Sequence, residues 1–322
     1  MRTRRAVLAA LGVTLGVSLT ACSASKSDTD PGATADLSTE SRDPPTPASA
    51  TCTGPDQPPT GKVAYSHLDD DGDWSLWLMD PDGSNPVCLL DTPEADTAPA
   101  WSPDGSQLVF GGGDDLYMAD ADGSHLTLLL DGEGTKHYSN PNWSPNGKSI
   151  VFSATQDDQE EPHIMAIDST GRDLRTLISS GDQFVFVDEP QWSPDGRHIL
   201  FLADDSGGWR DLYLMRPDGS DVRMLLHRGF ELDGSGLGWS PDGKLIAFQG
   251  DKDGGCLYVV DADGKNVQRL VDGCSEGVDL TWSPDSQTIL WGPSDNEVPS
   301  TGGASHVVED TSTGASPSWQ PN

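Results

Sequence analysis

The chain has 322 residues, including 36 Gly and 24 Pro, and a formal net charge of −33 at pH 7. Gly and Pro together stay below the roughly 25–30 % typical of low-complexity chains, which excludes disorder throughout the chain. A protein this negative repels phosphate backbones and anionic lipid surfaces, which excludes nucleic-acid binding.

The N-terminal sequence is typical of an export signal. Arg residues near the start precede an apolar run from Ala6 to Leu19. A run of this length is too short to span a bilayer permanently, so it predicts a cleaved signal peptide over residues 1–21. The Leu-Thr-Ala-Cys box that ends at Cys22 resembles the lipobox of bacterial lipoproteins and makes Cys22 the predicted lipidation site. An ordinary secretory signal is the alternative, and the Arg pair leaves the twin-arginine and general export routes open.

Residues 22–61 are rich in Ser, Thr, Ala, Asp and Pro and hold almost no large apolar side chains. This composition predicts a disordered tether that follows the lipidated Cys22. We therefore expect an extracytoplasmic protein that the lipid anchor alone attaches to the bacterial cell membrane. Periplasm and cell exterior both remain open.

Internal repetition dominates the rest of the chain. The motif Trp-Ser-Pro-Asp-Gly begins at Trp101, Trp192 and Trp239; Asn replaces its Asp after Trp143, and Ser replaces its Gly after Trp282. A shortened sixth copy, Trp-Gln-Pro-Asn, ends the chain. The intervals are close to the roughly 40–45 residues of one four-stranded propeller blade.

The pattern of each repeat predicts four strands. A Pro-Asp-Gly turn follows the Trp, then an apolar run, a polar loop, a second apolar run such as Leu257 to Val260, an Asp-x-Asp-Gly turn and a last strand. The apolar runs are continuous rather than alternating, which is typical of sheets buried on both faces. We therefore predict an all-β, six-bladed propeller over residues 62–322. Its Trp residues are expected to pack between blades rather than to bind a ligand.

This combination of motifs resembles the TolB-type, WD40-like β-propeller over residues 62–322. The first segment, from Lys62, lacks a Trp-Ser-Pro-Asp-Gly strand, and the C-terminal segment from Ala315 to Gln320 supplies one. The two should share a blade and close the ring. We expect two departures from the family: the tether is too short and polar to be the α/β domain that precedes the propeller in TolB, and the outermost strand of the blade after Trp282 is expected to be shortened or missing.

Four Cys residues remain beside Cys22, an even number that predicts two disulfides in an exported protein, with four separate thiols as the alternative. Cys256 begins the third strand of its blade and Cys274 follows the fourth, so the hairpin brings them together. Cys88 lies on an outermost strand that the tether residue Cys52 can reach. We predict the pairs Cys256–Cys274 and Cys52–Cys88.

The motifs of common enzymes are missing from the sequence, including Gly-x-Ser-x-Gly, the P-loop and His-Glu-x-x-His. We therefore expect a non-enzymatic, monomeric module without a cofactor that binds a protein or peptide. A propeller hydrolase or lyase acting on a cell-surface glycan or peptide, with His residues holding a metal, is the alternative. A structural Ca²⁺ at Asp69, Asp71 and Asp73 is a second alternative to plain turn capping by Asp.

The binding surface is predicted on the face that carries the loops between second and third strands and the loops leading into each Trp strand. These loops are acidic, whereas Lys and Arg accompany Asp in the turns of the opposite face. A cationic partner is expected there, held by charge and by aromatic anchors. The predicted partner-binding residues are Asp69, Asp70, Asp71, Asp73, Tyr138, Asp157, Asp158, Phe184, Phe186, Asp204, Asp205, Trp209 and Phe230.

Overall fold

The computed structural model describes residues 52, 54–55, 59–68, 72–92, 96–156, 159–181, 183–205, 210–227, 236–250, 255–272, 279–291, 296–303, 306–307 and 314–321. All of them belong to one compact unit, residues 42–322. The predicted signal peptide and Cys22 lie outside the described residues. Within the described ranges, no helix has the length and apolar character needed to cross a membrane.

The first three of six four-stranded antiparallel sheets, here called blades, are given from the innermost strand outwards. Blade 1 contains β24 (Gly314–Trp319), β1 (Val63–Leu68), β2 (Trp74–Met79) and β3 (Val87–Leu90). Blade 2 contains β4 (Asp96–Trp101), β5 (Gln107–Gly112), β6 (Asp115–Asp120) and β7 (Thr127–Leu130). Blade 3 contains β8 (Lys136–Trp143), β9 (Ser149–Gln156), β10 (Gln159–Asp168) and β11 (Arg175–Ser179).

The remaining blades follow the same order. Blade 4 contains β12 (Phe186–Trp192), β13 (Ile199–Asp204), β14 (Arg210–Met215) and β15 (Arg223–Leu226). Blade 5 contains β16 (Leu237–Trp239), β17 (Leu245–Gln249), β18 (Gly255–Asp261) and β19 (Gln268–Asp272). Blade 6 contains β20 (Leu280–Trp282), β21 (Thr288–Trp291), β22 (Asn296–Pro299) and the two-residue β23 (His306–Val307). The predicted six-bladed propeller is confirmed.

Ring closure also follows the prediction, because β24 pairs with β1 in the register Val63 to Trp319. Gln320 extends this closure. Its Nε2 donates hydrogen bonds to the carbonyl oxygens of Pro59 (3.0 Å) and of Gly105 in blade 2 (2.9 Å), and its backbone N–H donates to Lys62 O (2.8 Å). The other repeats carry Ser at this position, whose side chain is too short to make such contacts.

The core consists of six apolar clusters, each formed by two neighbouring blades. Phe110 of blade 2, for example, shares a cluster with Leu76 of blade 1, and Phe201 of blade 4 shares one with Ile164 of blade 3. Strands buried on both sides explain why the apolar runs in the sequence are continuous. Three of the repeat Trp residues also join blades directly: the indole N–H groups of Trp101, Trp143 and Trp282 donate to backbone carbonyls of the preceding inner strand.

The end of the predicted tether is part of the folded unit. Cys52 forms a disulfide with Cys88 on β3, with 5.0 Å between the Cα atoms, and this is one of the two pairs predicted from the sequence. Gly54 lies so close to the Asp122 carbonyl of blade 2 that a Cβ would overlap it. Contacts of the folded unit therefore extend upstream of residue 62, where the propeller is predicted to begin. Cys274 and the side chain of Cys256 lie outside the described residues.

Candidate functional site

The blades give the propeller two unlike faces. On the first, here called the turn face, lie the short turns between the first and second and between the third and fourth strands of each blade. On the second, the mouth face, lie the loops between second and third strands and the loops that lead into each innermost strand. Because every blade has the same strand order, each type of connection stays on one face.

Carboxylates of the turn face hold the turns together. Asp104 accepts hydrogen bonds from the hydroxyls of Ser102 and Ser106, both at 2.7 Å, and from the Ser106 backbone N–H at 3.1 Å. These bonds favour the ionised form and lower the pKa of Asp104 below its usual 3.8. The pKa of Asp218 is lowered in the same way by the hydroxyl and backbone N–H of Ser220. The turn-face carboxylates are thus mainly structural.

The turn face also carries many cations. Its described basic residues are Lys62, Lys148, Arg172, Arg175, Arg197, Arg216, Arg223, Lys244 and Lys265. Several lie beside a turn carboxylate, as Lys244 does beside Asp242 (2.7 Å) and Lys265 beside Asp263 (2.8 Å). These neighbours offset much of the negative charge of this face.

The mouth face is strongly acidic. Its described carboxylates are Asp73, Asp91, Asp114, Asp115, Asp131, Glu133, Asp188, Glu189, Asp204, Asp205, Asp211, Asp272, Asp279 and Glu297. The described Lys and Arg residues of its loops and strand ends are Lys136 and Arg210, while Arg269, the second residue of β19, reaches Asp272 (2.8 Å). The described residues therefore differ in charge balance between the two faces, in the sense expected from the sequence.

Some mouth-face carboxylates are structural. Asp115 is buried and accepts hydrogen bonds from the Gly132 backbone N–H and the Tyr117 hydroxyl, both at 2.8 Å. Asp211 occupies the same repeat position in blade 4, is also buried, and lies 3.0 Å from His227 Nδ1. These two carboxylates fix the loops that enter the next innermost strand, so they are not available to a partner.

A central cavity of about 360 Å³ lies between the six innermost strands. The repeat Trp residues and the Pro residues of the following turns line it towards the turn face, and a mixture of polar and apolar residues, such as Asn140, Glu189 and Leu237, lines it towards the mouth face. Two lining residues are carboxylates: Glu189, which is 7 % exposed, and Asp279. Among the described residues that line this cavity, Lys, Arg and His are absent.

The mouth end of the cavity is built from one repeat position, three residues before each Trp. Ala98, Asn140, Glu189 and Ser316 all have positive φ there, between 50° and 52°, and Gly236 shares the position with φ 76°. Register shifts in the pairing of β4, β8 and β12 show bulges at these points. The bulged residues contribute to the cavity lining.

Neighbouring blades hold these bulges through carboxylates. Asp188 Oδ1 accepts from the Ser153 hydroxyl (2.5 Å), from Asn140 Nδ2 (3.2 Å) and from the Glu189 backbone N–H (2.8 Å). Asp279 Oδ2 accepts from the backbone N–H and hydroxyl of Ser316, at 3.1 and 2.7 Å. The rim of the cavity is therefore ordered by interactions between blades.

Two predicted partner-binding residues belong to the core instead. Tyr138 is 5 % exposed and packs edge-on against Phe152, and Phe184 is 6 % exposed and packs against Phe201 and Tyr213. Burial raises the pKa of Tyr138 to about 12. The prediction for both residues rested on their place in or beside mouth loops. Burying an aromatic ring beneath such a loop, however, removes apolar surface from water and stabilises the folded protein. Neither can serve as an exposed anchor.

Phe186 lies on the mouth face and is partly buried, but its ring is already occupied. The Arg210 guanidinium stacks over it, 4.1 Å from the ring centroid. A partner cation could reach that ring face only by displacing Arg210. Beside it, Val185 is 58 % exposed, so a small apolar patch adjoins this cation.

The remaining predicted binding residues divide into two groups. Asp73, Asp204 and Asp205 lie on the mouth face, where Asp204 ends β13 directly opposite Arg210 on β14. The others lie outside the described residues: Asp69, Asp70, Asp71, Asp157, Asp158, Trp209 and Phe230. The predicted Ca²⁺ ligands Asp69 and Asp71 are among them, which leaves Asp73 as the described member of that set.

The histidines are dispersed. His137 Nδ1 pairs with Asp114 in the mouth loops of blades 2 and 3, His227 pairs with Asp211 in blade 4, and His125 pairs with Asp120 (2.8 Å) on the turn face. None of these pairs lines the central cavity. Within the described part of the chain, groups of three or more His, Cys, Asp or Glu arranged to hold a metal ion are absent.

Comparison with known structures shows the same fold. TolB from Acinetobacter baumannii aligns with a TM-score of 0.65 and 21 % identity, over 83 % of this chain and 68 % of that one. A nidogen/laminin complex structure aligns with a TM-score of 0.63 and 10 % identity, over 80 % of this chain and 98 % of that one. A puromycin hydrolase aligns with a TM-score of 0.51 and 19 % identity, over 79 % of this chain and 44 % of that one.

The family comparison is more specific than these fold-level similarities. The family model for the TolB beta propeller domain matches residues 33–236 and 186–322. Together the two matches span most of the sequence, and the first begins upstream of the boundary predicted at residue 62. The chain therefore belongs to the TolB β-propeller domain family.

Proposed function

We propose that this protein is an extracytoplasmic lipoprotein, anchored through Cys22, whose propeller binds a cationic protein or peptide through its mouth face. The observation that carries the proposal is the difference between the faces: turn-face carboxylates lie among Lys and Arg residues, whereas the described mouth face has few such neighbours. A surface of one sign attracts a partner of the opposite sign and raises its association rate.

The fold is consistent with this role. One of the similar structures is a complex of nidogen with laminin, and TolB shares both fold and family with this chain. The exposed Val185 and the Phe186–Arg210 pair offer an apolar point within the acidic surface. Interfaces commonly combine such a point with a charged rim.

The hydrolase or lyase alternative has less support. The aligned region covers 44 % of the puromycin hydrolase chain, and the His–Asp pairs on the described mouth face belong to separate blades outside the cavity. Turnover of peptide or glycan substrates by the purified full chain would favour this alternative.

The proposal is tested by affinity capture from solubilised bacterial membranes with two charge-matched variants. The mouth variant carries Asp73→Asn, Asp204→Asn and Asp205→Asn; the turn variant carries Asp82→Asn, Asp218→Asn and Asp263→Asn. We expect a basic protein that the wild type and the turn variant retain at low salt and that the mouth variant loses. Retention by the mouth variant together with loss by the turn variant would place binding on the other face.

Anchoring is tested separately with Cys22→Ala. Because buried acyl chains hold the protein at the membrane, at about 0.8 kcal/mol per CH₂, this change should move it from the membrane fraction to the soluble fraction. A wild-type protein that is already soluble after export would contradict the anchor.

A further inference from the structure

A short segment ahead of β1 lies on the turn face. Its described residues are Cys52, Gly54, Pro55 and 59–61, and we call it the strap. One end is bonded through Cys52 to Cys88, the second residue of β3 at the outer edge of blade 1. The other end leads into β1. The strap therefore connects the rim of the propeller with its inner strands.

The strap contacts both blade 1 and blade 2. A Cβ on Gly54 would overlap the carbonyl oxygen of Asp122, in the outer turn of blade 2, and would lie 3.6 Å from that of Leu89 in β3. Pro59, near the inner end, is buried. The strap thus lies over the junction between the blade that closes the ring and its neighbour.

The inner end of the strap is held by the residue that follows the ring-closing strand β24. Gln320 is 4 % exposed, and both ends of its side-chain amide are bonded. Its Nε2 donates to Pro59 O in the strap and to Gly105 O in blade 2, while its Oε1 accepts from the Lys62 backbone N–H at 3.3 Å. Loss of the strap would leave a buried N–H of Gln320 without an acceptor, which is unfavourable.

The disulfide and the Gln320 contact are two attachments of the same segment. Among the described strap residues, the bond to Pro59 is the single recorded hydrogen bond. Cys52 and Pro59 are only seven positions apart in the sequence. Formation of one attachment therefore raises the effective concentration of the other. The two attachments should stabilise each other.

We propose that the strap is a redox-sensitive latch on ring closure. With the Cys52–Cys88 disulfide formed, the strap holds Pro59 against Gln320 and keeps β24 paired with β1. Reduction by a dithiol adds two electrons and two protons, yields two thiols and releases the outer end of the strap. Gln320 then loses an acceptor, and β24 separates from β1 more often.

Formation of the disulfide reverses these steps. The two thiols lose two electrons and two protons to the disulfide of a thiol oxidant, which becomes a dithiol. Oxidants of this class act in oxidising compartments, so ring closure is completed there. The latch does not rest on partner binding: loss of partner capture with the latch intact would overturn only the proposed function.

Hydrogen–deuterium exchange of the full chain tests the latch. Cys52→Ser removes the disulfide, and the matched Cys256→Ser removes a thiol from blade 5. Relative to the oxidised wild type, exchange in residues 314–320 should rise at least fivefold in Cys52→Ser and less than twofold in Cys256→Ser. Strands β8 and β9 of blade 3 should exchange at the wild-type rate. An unchanged rate in residues 314–320, or an equal rise in blade 3, would overturn the latch.

Reduction of the purified wild type gives the opened state without a substitution. It should reproduce the faster exchange of residues 314–320, and reoxidation should restore the slow rate. A rise in Cys52→Ser that reduction of the wild type does not reproduce would come from the substitution itself and would overturn the latch.

A double-mutant cycle tests the coupling between the two attachments. Gln320→Ser introduces the residue that the other repeats carry at this position. It should speed exchange in residues 63–68 about tenfold in the disulfide-bonded protein. In the Cys52→Ser background the effect should be about threefold, because only the contacts with Gly105 and Lys62 remain to be lost. Combined with Cys256→Ser, Gln320→Ser should keep its full effect. Equal effects in the Cys52→Ser and wild-type backgrounds would overturn the latch.

Discussion

The two faces of this propeller use the same residue type for different purposes. On the turn face, carboxylates such as Asp104 accept hydrogen bonds from their own turn, and basic residues lie close to several of them. On the mouth face, carboxylates outnumber the described cations and reach the rim of a cavity whose described lining has no basic residue. A high density of Asp therefore says little about binding until the local partners of each carboxylate are known.

The largest expected effect is the loss of stability on replacing a glycine of the turn face, and it should exceed the loss for a glycine of the mouth face. Gly219 of a turn-face turn has φ 81°, and a Cβ there would overlap the Leu177 carbonyl oxygen of the neighbouring blade. Gly134 of a mouth loop has φ 65° with open space around it. Gly219→Ala should lower the free energy of unfolding by about 3–4 kcal/mol, and Gly134→Ala by about 1–2 kcal/mol. Urea unfolding measures both; equal effects would mean that the turn-face turns do not lock neighbouring blades.

The second prediction concerns the disulfide that joins the N-terminal segment to β3. Cys52→Ser should lower the free energy of unfolding by about 2–4 kcal/mol, because the unfolded chain gains freedom. Reduction of the wild type provides the comparison. If reduction lowers the free energy of unfolding of the wild type by as much as Cys52→Ser does, the protein has a single disulfide. A larger decrease on reduction would indicate the predicted Cys256–Cys274 pair as well. No change in Cys52→Ser would contradict the role given to this bridge.

The third prediction concerns the mouth-face carboxylates that have a structural role. Asp115→Ala leaves the Gly132 N–H and the Tyr117 hydroxyl without their buried acceptor and should cost about 2–3 kcal/mol of stability. Asp218→Ala on the turn face removes an exposed acceptor that water can replace, so its effect should be much smaller. Thermal melts of both variants provide the measurement. A reversed order would undermine the division between structural and exposed carboxylates.

The smallest effect is a pH dependence. Hydrogen bonds lower the pKa of Asp104, Asp195 and Asp242 below 3.8 in the folded state. Their contribution to stability is therefore complete above about pH 4 and is lost as the pH falls through the lowered pKa values. Replacing all three by Asn should flatten the loss of stability between about pH 4 and pH 2. An unchanged acid profile would show that these bonds do not favour the ionised carboxylate.

The fold was largely predictable because its signals are local and repeated. Trp-Ser-Pro-Asp-Gly specifies a turn, and repetition at blade length specifies the ring. Its closure was predictable because the missing strand of the first blade appears at the C-terminus. The role of Gln320 was not, because its contacts with Pro59 and Gly105 join residues far apart in the sequence.

The candidate site was less predictable. Membership of a mouth loop did not distinguish Tyr138 and Phe184, which pack beneath the loops, from Phe186, which lies under Arg210. Glu189 and Asp279 were missed although a signal existed: both lie three residues before a repeat Trp, the position that borders the cavity. Reading that position across all six repeats would have found them. The hydrogen-bond partners of a carboxylate, by contrast, come from neighbouring blades, so they can be identified only from the structure.

The most direct test of the division between the faces is hydrogen–deuterium exchange of the full chain with and without a short arginine-containing peptide. We predict slower exchange in mouth-face segments such as residues 131–136 and 201–212, with turn-face segments such as residues 80–87 and 216–223 unchanged. Protection confined to the turn face, or spread equally over both faces, would contradict the account.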